Sequence, residues 1–422
     1  MEKHLLSKST FIRGNQCLKS LYLNKKRSFL RDRIPKERLI VFQRGHQVGE
    51  LAQDLFPGGI NMSPGHPAAY KKAIINTGEK IKEGFPVIYE AAFQHDQVMI
   101  YLDILVHTGT GWHAYEVKSS GGISETYMMD AALQYHVIKG TGLDITGISL
   151  VHIDKGYVLE DEIDPKGLFN IIDVTEEALS RQDYVKDQIE REKEALTLEH
   201  SPKIDVGPQC REPYDCDFLG HCWKNVPKPA KKDPSLQIDK DAFNNASINL
   251  AGNPAFIKLL PMRPAIPMYR GTHPYQQMAY GYALKDGKGF RSSLYPHTTN
   301  PMDALLSDLK TKLEGITSLV CFGQGYLIRN LLPEVDVIDL KDMILPESEY
   351  YSEMKDKFDL EKLRVIFSLQ PDDKLPDYLS DAVAEHYYLK EYPSEGIKDK
   401  LEAFETSWAG TIEALHSYMK TL

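Results

Sequence analysis

The chain has 422 residues, 42% apolar and 26% charged, the make-up of a folded protein with more than one domain and enough length for sizeable cores. The opening MEKHLLSKST has no apolar stretch of signal-peptide length and no run of about 18 apolar residues follows, so the expectation is a cytoplasmic chain with no membrane partner. A net charge of −10 excludes a surface coated with cations for bulk nucleic-acid binding, while leaving a local basic groove open.

The front of the chain predicts a helix over STFIRGNQCLKSLYLNKK, capped by Ser9 or Thr10, with Phe11, Leu18, Leu21 and Tyr22 at helical spacing. Basic residues gather in LNKKRSFLRDRIPKERL, where seven of seventeen residues are Lys or Arg, a run that serves either as a solvated face or as a phosphate contact. A second helix is expected in IVFQRGHQVGELAQDLF, ended by the PGG at 57–59. Three strand patterns follow, PVIYEAAFQ, QVMIYLDILVHT and WHAYEVKSS, and then a helix over SETYMMDAALQYHVIKG. ITGISLVHI and GYVLE, joined by DKG, are expected to pair as a hairpin. This order is that of a mixed α/β domain rather than a regular doubly wound one.

Composition shifts at 225–241, NVPKPAKKDPSLQIDKD, which is rich in Pro, Lys and Asp. The division drawn from it is a first domain over 1–228, a linker over 229–245 and a second domain over 246–422. The second carries its own strands (QQMAYGYAL, ITSLVCFG, EVDVIDL) and helices, including one near the C-terminus.

Chemistry concentrates in YLDILVHTGTGWHAYEVKSS. Alternation along a strand points Glu116 and Lys118 the same way and Val117 the other, and a hairpin through HTGTGW brings Asp103 beside them. A carboxylate in the apolar run IYLDILV needs a partner to offset its desolvation, and a hard divalent cation such as Mg²⁺ or Mn²⁺ is one. Lys118 beside it would stabilise charge building on a phosphate.

The ordered set Glu90, Asp103, Glu116-x-Lys118 and Gln134 on the following helix resembles the PD-(D/E)XK nuclease core of the RecB-like type. The resemblance implies a restriction-endonuclease-like fold, Asp103 and Glu116 as metal ligands and Lys118 as the catalytic lysine. It also implies a ligand on an early helix, often a His four residues after a Gly. Here that place is Gly49, and Glu50 or His46 is the local substitute. Relatives commonly show Q-x-x-x-Y on the later helix, whereas Gln134 is followed at that spacing by Ile138.

Four of the five cysteines, Cys17 and then Cys210, Cys216 and Cys222 in CREPYDCDFLGHCW, read as a metal site in a cytoplasmic chain. Either a [4Fe-4S] cluster or a structural Zn²⁺ suits four thiolates. One cysteine before the nuclease core and three after it is similar to the iron-sulfur nucleases of CRISPR-associated and AddB type, which more often space the last three as C-x2-C-x5-C. Cys321 reads as an ordinary core cysteine.

VGELAQDLFPGG and AIPMYRGTHPYQQ resemble an uncharacterised bacterial family that fuses such a nuclease to a DnaQ-like, RNase H-like exonuclease domain. That resemblance implies a D-x-E on FIKLLPM, where Lys258 and Leu260 stand, an acid where Leu327 stands, and a last acid matched by Asp381. One carboxylate cannot build a two-metal site, so the second domain is expected to be a degenerate exonuclease that serves DNA guidance, stability or a protein partner. The expected function is a Mg²⁺- or Mn²⁺-dependent exonuclease on single-stranded DNA ends, in repair, recombination or phage defence, with Arg13, Lys25, Lys26 and Arg27 on the DNA backbone. The alternative is a non-catalytic nucleic-acid-binding or complex-assembly protein.

Overall fold

A computed structural model of the chain describes residues 3–226, 236–249, 252–345, 360, 363–364, 367–369 and 380–422. It is a mixed α/β protein with two compact units, one made of Met1–Val226 with Ala265–Tyr275 and the other of Pro227–Pro264 with Gln276–Leu422. The excursion over 265–275 thus belongs to the first unit, a return that local composition does not signal. Within the expected linker 229–245, residues 229–235 lie outside the described set and the chain is helical from Lys240.

The first unit runs β1 (Leu6–Ser7), α1 (Lys8–Gln16), α2 (Leu18–Lys26), α3 (Lys36–Ala52), β2 (Ile60–Asn61), α4 (Tyr70–Lys82), β3 (Val87–His95), β4 (Val98–His107), β5 (Trp112–Lys118), α5 (Glu125–Gly140), β6 (Ile145–Ile153), α6 (Pro165–Leu168), β7 (Phe169–Asp173), α7 (Thr175–Ser180), α8 (Gln182–Thr197) and α9 (Leu219–Cys222). The expected front helix is two helices, because Cys17 between them is extended with φ −164°. The cap is Ser7 rather than Ser9 or Thr10, with Thr10 completing a capping box.

The seven strands of this unit form one sheet in the order β2-β3-β4-β5-β6-β7, with β1 added in parallel to β4. β3, β4 and β5 are antiparallel neighbours and β6 runs parallel to β5. The expected hairpin of ITGISLVHI with GYVLE does not form: β6 pairs with β7, and Leu159 instead exchanges backbone hydrogen bonds with Gly271 and Thr272. The strand pattern in GYVLE is local, whereas a pairing partner is chosen by the whole sheet.

One face of the sheet packs Trp112, Ala114, Leu133 and Val137 into the main core, and the other packs Val48, Ala52, Ile104 and Val151. Helix α5 is buried nearly all round, from Met129 to Tyr135, which explains why its polar residues Asp130 and Gln134 lie inside.

The second unit holds α10 (Lys240–Asn249), β8 (Pro254–Met262), β9 (Met278–Asp286), β10 (Gly289–Leu294), α11 (Pro301–Lys312), β11 (Ser318–Cys321), α12 (Gly325–Leu331), β12 (Asp336–Asp339) and the helices Asp381–Glu391 and Glu395–Met419. Its sheet has the order β10-β9-β8-β11-β12, antiparallel through β10, β9 and β8 and parallel from β8 to β11 and β12. Among the described residues no helix is long and apolar enough to cross a membrane.

Candidate active site and cysteine cluster

Glu90, Asp103 and Glu116 occupy facing positions on β3, β4 and β5, and each stands where the ladder is interrupted. β3 and β4 pair at Tyr89↔Ile104 and at Ala91↔Leu102, with Glu90 and Asp103 left between. Glu90 has φ 53°, a left-handed conformation that a non-glycine residue adopts at a cost of roughly 1–3 kcal/mol. The alternation slips there on both strands. Ile88 shares the main core with Ala91 and Phe93, and Leu102 shares it with Leu105, so the slip falls at Glu90 and at Asp103. On the other side β4 and β5 pair only as far as Ile104↔Tyr115. Beyond that point Asp103 Oδ2 accepts the Val117 N–H at 2.6 Å, in place of a strand partner.

Lys118 Nζ donates to Glu116 Oε1 at 2.6 Å and also pairs with Asp130 Oδ2. Its ammonium lies 5.1 Å from the centre of the Tyr127 ring. Glu116 and Lys118 share a face while Val117 packs with Tyr115 on the other, as strand alternation requires. Two members of the cluster escape sequence reasoning. Lys8, at the start of α1, donates to Glu116 Oε1 at 2.7 Å and lies 4.0 Å from Asp130 Oδ2. Asp130, one turn before Gln134 on α5, is the other. A charged residue in an otherwise apolar helical stretch was the available signal for Asp130; nothing local marks Lys8, 108 residues from its partner.

Burial raises the carboxyl of Asp103, with Glu116 beside it adding to the effect, and burial also raises Glu90 and Asp130. Burial acts the same way on Glu116, but Lys118 and Lys8 reverse it and hold that carboxyl below its ordinary range. Burial would lower both ammoniums, and the acids around them raise both instead. Among the described residues, Glu116 Oε2, Asp130 Oδ1 and both ends of the fully buried Gln134 amide find no hydrogen-bond partner. Buried polar atoms are rarely left so, and four in one cluster suit a site that takes a ligand.

His46, a candidate ligand on the early helix α3, is exposed and acts on Glu90 less than burial, Lys8 and Glu116 do. Glu50, expected as a metal ligand, is exposed. Of the four expected DNA contacts, Lys25, Lys26 and Arg27 are exposed, whereas Arg13 donates to Asp217 Oδ2 at 2.6 Å. Arg31 and Arg38 converge on the same Asp217, so this buried acid between two cysteines ties the basic front segment to the cysteine loop.

Cys17, Cys210, Cys216 and Cys222 are free thiols that line one small cavity of about 20 Å³, open in part to solvent. Burial raises Cys17 and Cys222, and Cys210 and Cys216 push both further up. The break between α1 and α2 is what turns Cys17 into this cavity. Among the described residues no three His, Cys, Asp or Glu side chains are gathered tightly enough to hold a single metal ion. At the acids, the two ammoniums stand among the carboxylates.

In the second unit Lys258 Nζ donates to both oxygens of Asp381, at 2.8 and 2.9 Å. Leu260 and Leu327, at the expected positions of two acids, are buried apolar residues, and Cys321 is fully buried in the core.

No family model matches the chain, and no curated protein matches it. Among solved structures, one described as "Crystal structure of SSO0001" is similar at 11% identity with a TM-score of 0.22, over 54% of this chain and 90% of that one.

Proposed function

We propose that the chain is a metal-dependent nuclease of the PD-(D/E)XK type whose centre is Asp103, Glu116 and Lys118, acting on DNA and most readily on single-stranded ends. The observation that carries this reading is the convergence of buried acids and lysines around polar atoms with no partner. Asp103 and Glu116 are the residues to hold Mg²⁺ or Mn²⁺, and a bound cation would neutralise phosphate charge and make water a stronger nucleophile. Lys118, fixed between Glu116 and Asp130, presents its ammonium to the phosphodiester and to the water that attacks it. Gln134, fully buried one turn after Asp130 on α5, offers a donor and an acceptor to orient that water. His46 is the second candidate ligand on α3.

Exposed Lys25, Lys26 and Arg27 flank Phe29, which is 76% exposed, and Arg38 lies over Phe42. Cations interleaved with open aromatic rings suit a single strand, whose phosphates and unstacked bases both find partners. The four thiols, which line one cavity, suit an iron-sulfur cluster that would staple the front of the chain to its 210–222 segment. The second unit is read as a degenerate RNase H-like exonuclease in which the Lys258–Asp381 pair stands where metal ligands would be; it remains free to guide DNA or bind a protein partner. The setting proposed is a cytoplasmic one.

The test is Mn²⁺-dependent degradation of end-labelled single- and double-stranded DNA by wild type and Lys118→Ala. Loss of at least about 100-fold in the variant is expected. Equal degradation by both would sink the assigned centre, and no degradation by either would favour a non-catalytic binding protein.

A further inference from the structure

Lys8 has no counterpart in the motif that marks the site, yet it is placed by as much structure as the motif residues are. β1 pairs in parallel with β4 at Leu6↔Val98 and Ser7↔Met99, on the strand that carries Asp103. Lys8 follows at once, and the first turn of α1 is closed by the Ser7 N–H donating to Thr10 Oγ1 at 2.7 Å. Its ammonium is thereby aimed at Glu116 Oε1, the oxygen that also accepts from Lys118.

Four carboxyls, those of Glu90, Asp103, Glu116 and Asp130, face two ammoniums. Full ionisation would leave a charge of −2, which is what one divalent cation neutralises. The two lysines are not equivalent. Lys118 is 14% exposed and held by Glu116, Asp130 and the Tyr127 ring, whereas Lys8 is 29% exposed and has one close partner. Lys8 is thus the less firmly held of the two, the one that an incoming cation would displace while Lys118 stayed in place.

We propose that Lys8 is a built-in counter-ion that holds Glu116 until a divalent cation takes its place, and so sets the metal affinity of the site. This rests on the metal-site reading above. Apparent affinity falls in proportion to the fraction of molecules in which the lysine occupies the carboxylate, so removing the ammonium raises affinity while destabilising the metal-free protein. A residue that merely packs would give the second effect without the first.

The experiment uses the full chain, freed of divalent ions and kept anaerobic, titrated with Mn²⁺ and followed by the electron paramagnetic resonance of free Mn²⁺ and by melting temperature. The site's share of binding is the part lost in Glu116→Gln. Lys8→Met is expected to bind Mn²⁺ at least about tenfold more tightly than wild type and to melt lower without metal. Lys8→Arg, whose planar fork holds a carboxylate in two places, is expected to bind it more weakly, and decides the matter if Lys8→Met does not fold. Equal affinity in wild type and both variants overturns the role of Lys8 and leaves the metal site standing; no Mn²⁺ binding by any of them overturns both.

Discussion

Each unit has lysines that meet acids inside or beside its sheet, and the two arrangements differ in what is left over. In the second unit Lys258 takes both oxygens of Asp381, whose side chain is 45% exposed, so the pair satisfies itself and borders water. In the first unit two lysines share one oxygen of Glu116, and the other oxygen, one oxygen of Asp130 and the Gln134 amide are buried with no partner among the described residues. A closed ion pair is a fastening. An open one, which the fold keeps despite the desolvation of its acids, has capacity for something more.

The contrast breaks most visibly through Glu116→Gln and Asp381→Asn. The first is expected to lower nuclease activity by about 10²–10³-fold and, by leaving two ammoniums without their shared partner, to cost about 3–5 kcal/mol of stability. The second is expected to leave activity unchanged. Comparable losses of activity in the two variants would erase the distinction between the units.

Cysteines offer a parallel comparison. Cys17→Ser is expected to abolish the visible absorption of the proposed iron-sulfur cluster and to lower the melting temperature, while Cys321→Ser, in the core of β11, is expected to retain the absorption. A colourless wild-type protein carrying stoichiometric zinc would replace the cluster with a metal ion.

Glu192 shows what burial does where only the Gln188 amide and the Arg191 charge oppose it. It is fully buried on α8, accepts from Gln188 Nε2 at 3.0 Å and has no lysine, and burial pushes its carboxyl up to about 9. A Cβ on Gly14 would collide with it, which accounts for the glycine in α1. Because the folded state keeps the proton that the unfolded state has released, Glu192 costs the wild type stability as pH rises from about 5 towards 9. Relative to wild type, Glu192→Gln should gain about 1.4 kcal/mol per pH unit across that window, read from denaturant melts at several pH values. A difference independent of pH would mean that Glu192 is ionised in the fold.

The smallest effect is expected at Lys258→Met, below about 1 kcal/mol, since its partner is nearly half exposed. A larger loss in a thermal melt would make the second unit's pair more than a surface fastening.

Much of the site was legible because it is local. The 13-residue steps from Glu90 to Asp103 to Glu116 follow from two short hairpins, and E-x-K needs only the alternation of one strand. The same locality misled at GYVLE, a strand pattern without a strand, and at the front helix, where the break at Cys17 answers to the cavity its thiol enters. Arg13 was legible as a cation but not as a partner of Asp217, 204 residues away.

Sequence by itself determined which residues carry the charge and the sulfur, and the strand period that puts Glu116 and Lys118 on one face, because periodicity is a property of the backbone. Tertiary structure alone decided that Lys8 and Asp130 complete the cluster and that Arg13 is spent on Asp217. Those choices rest on contacts between segments far apart in the chain, whose distances are fixed only when β1 joins β4 and α5 is buried against the sheet.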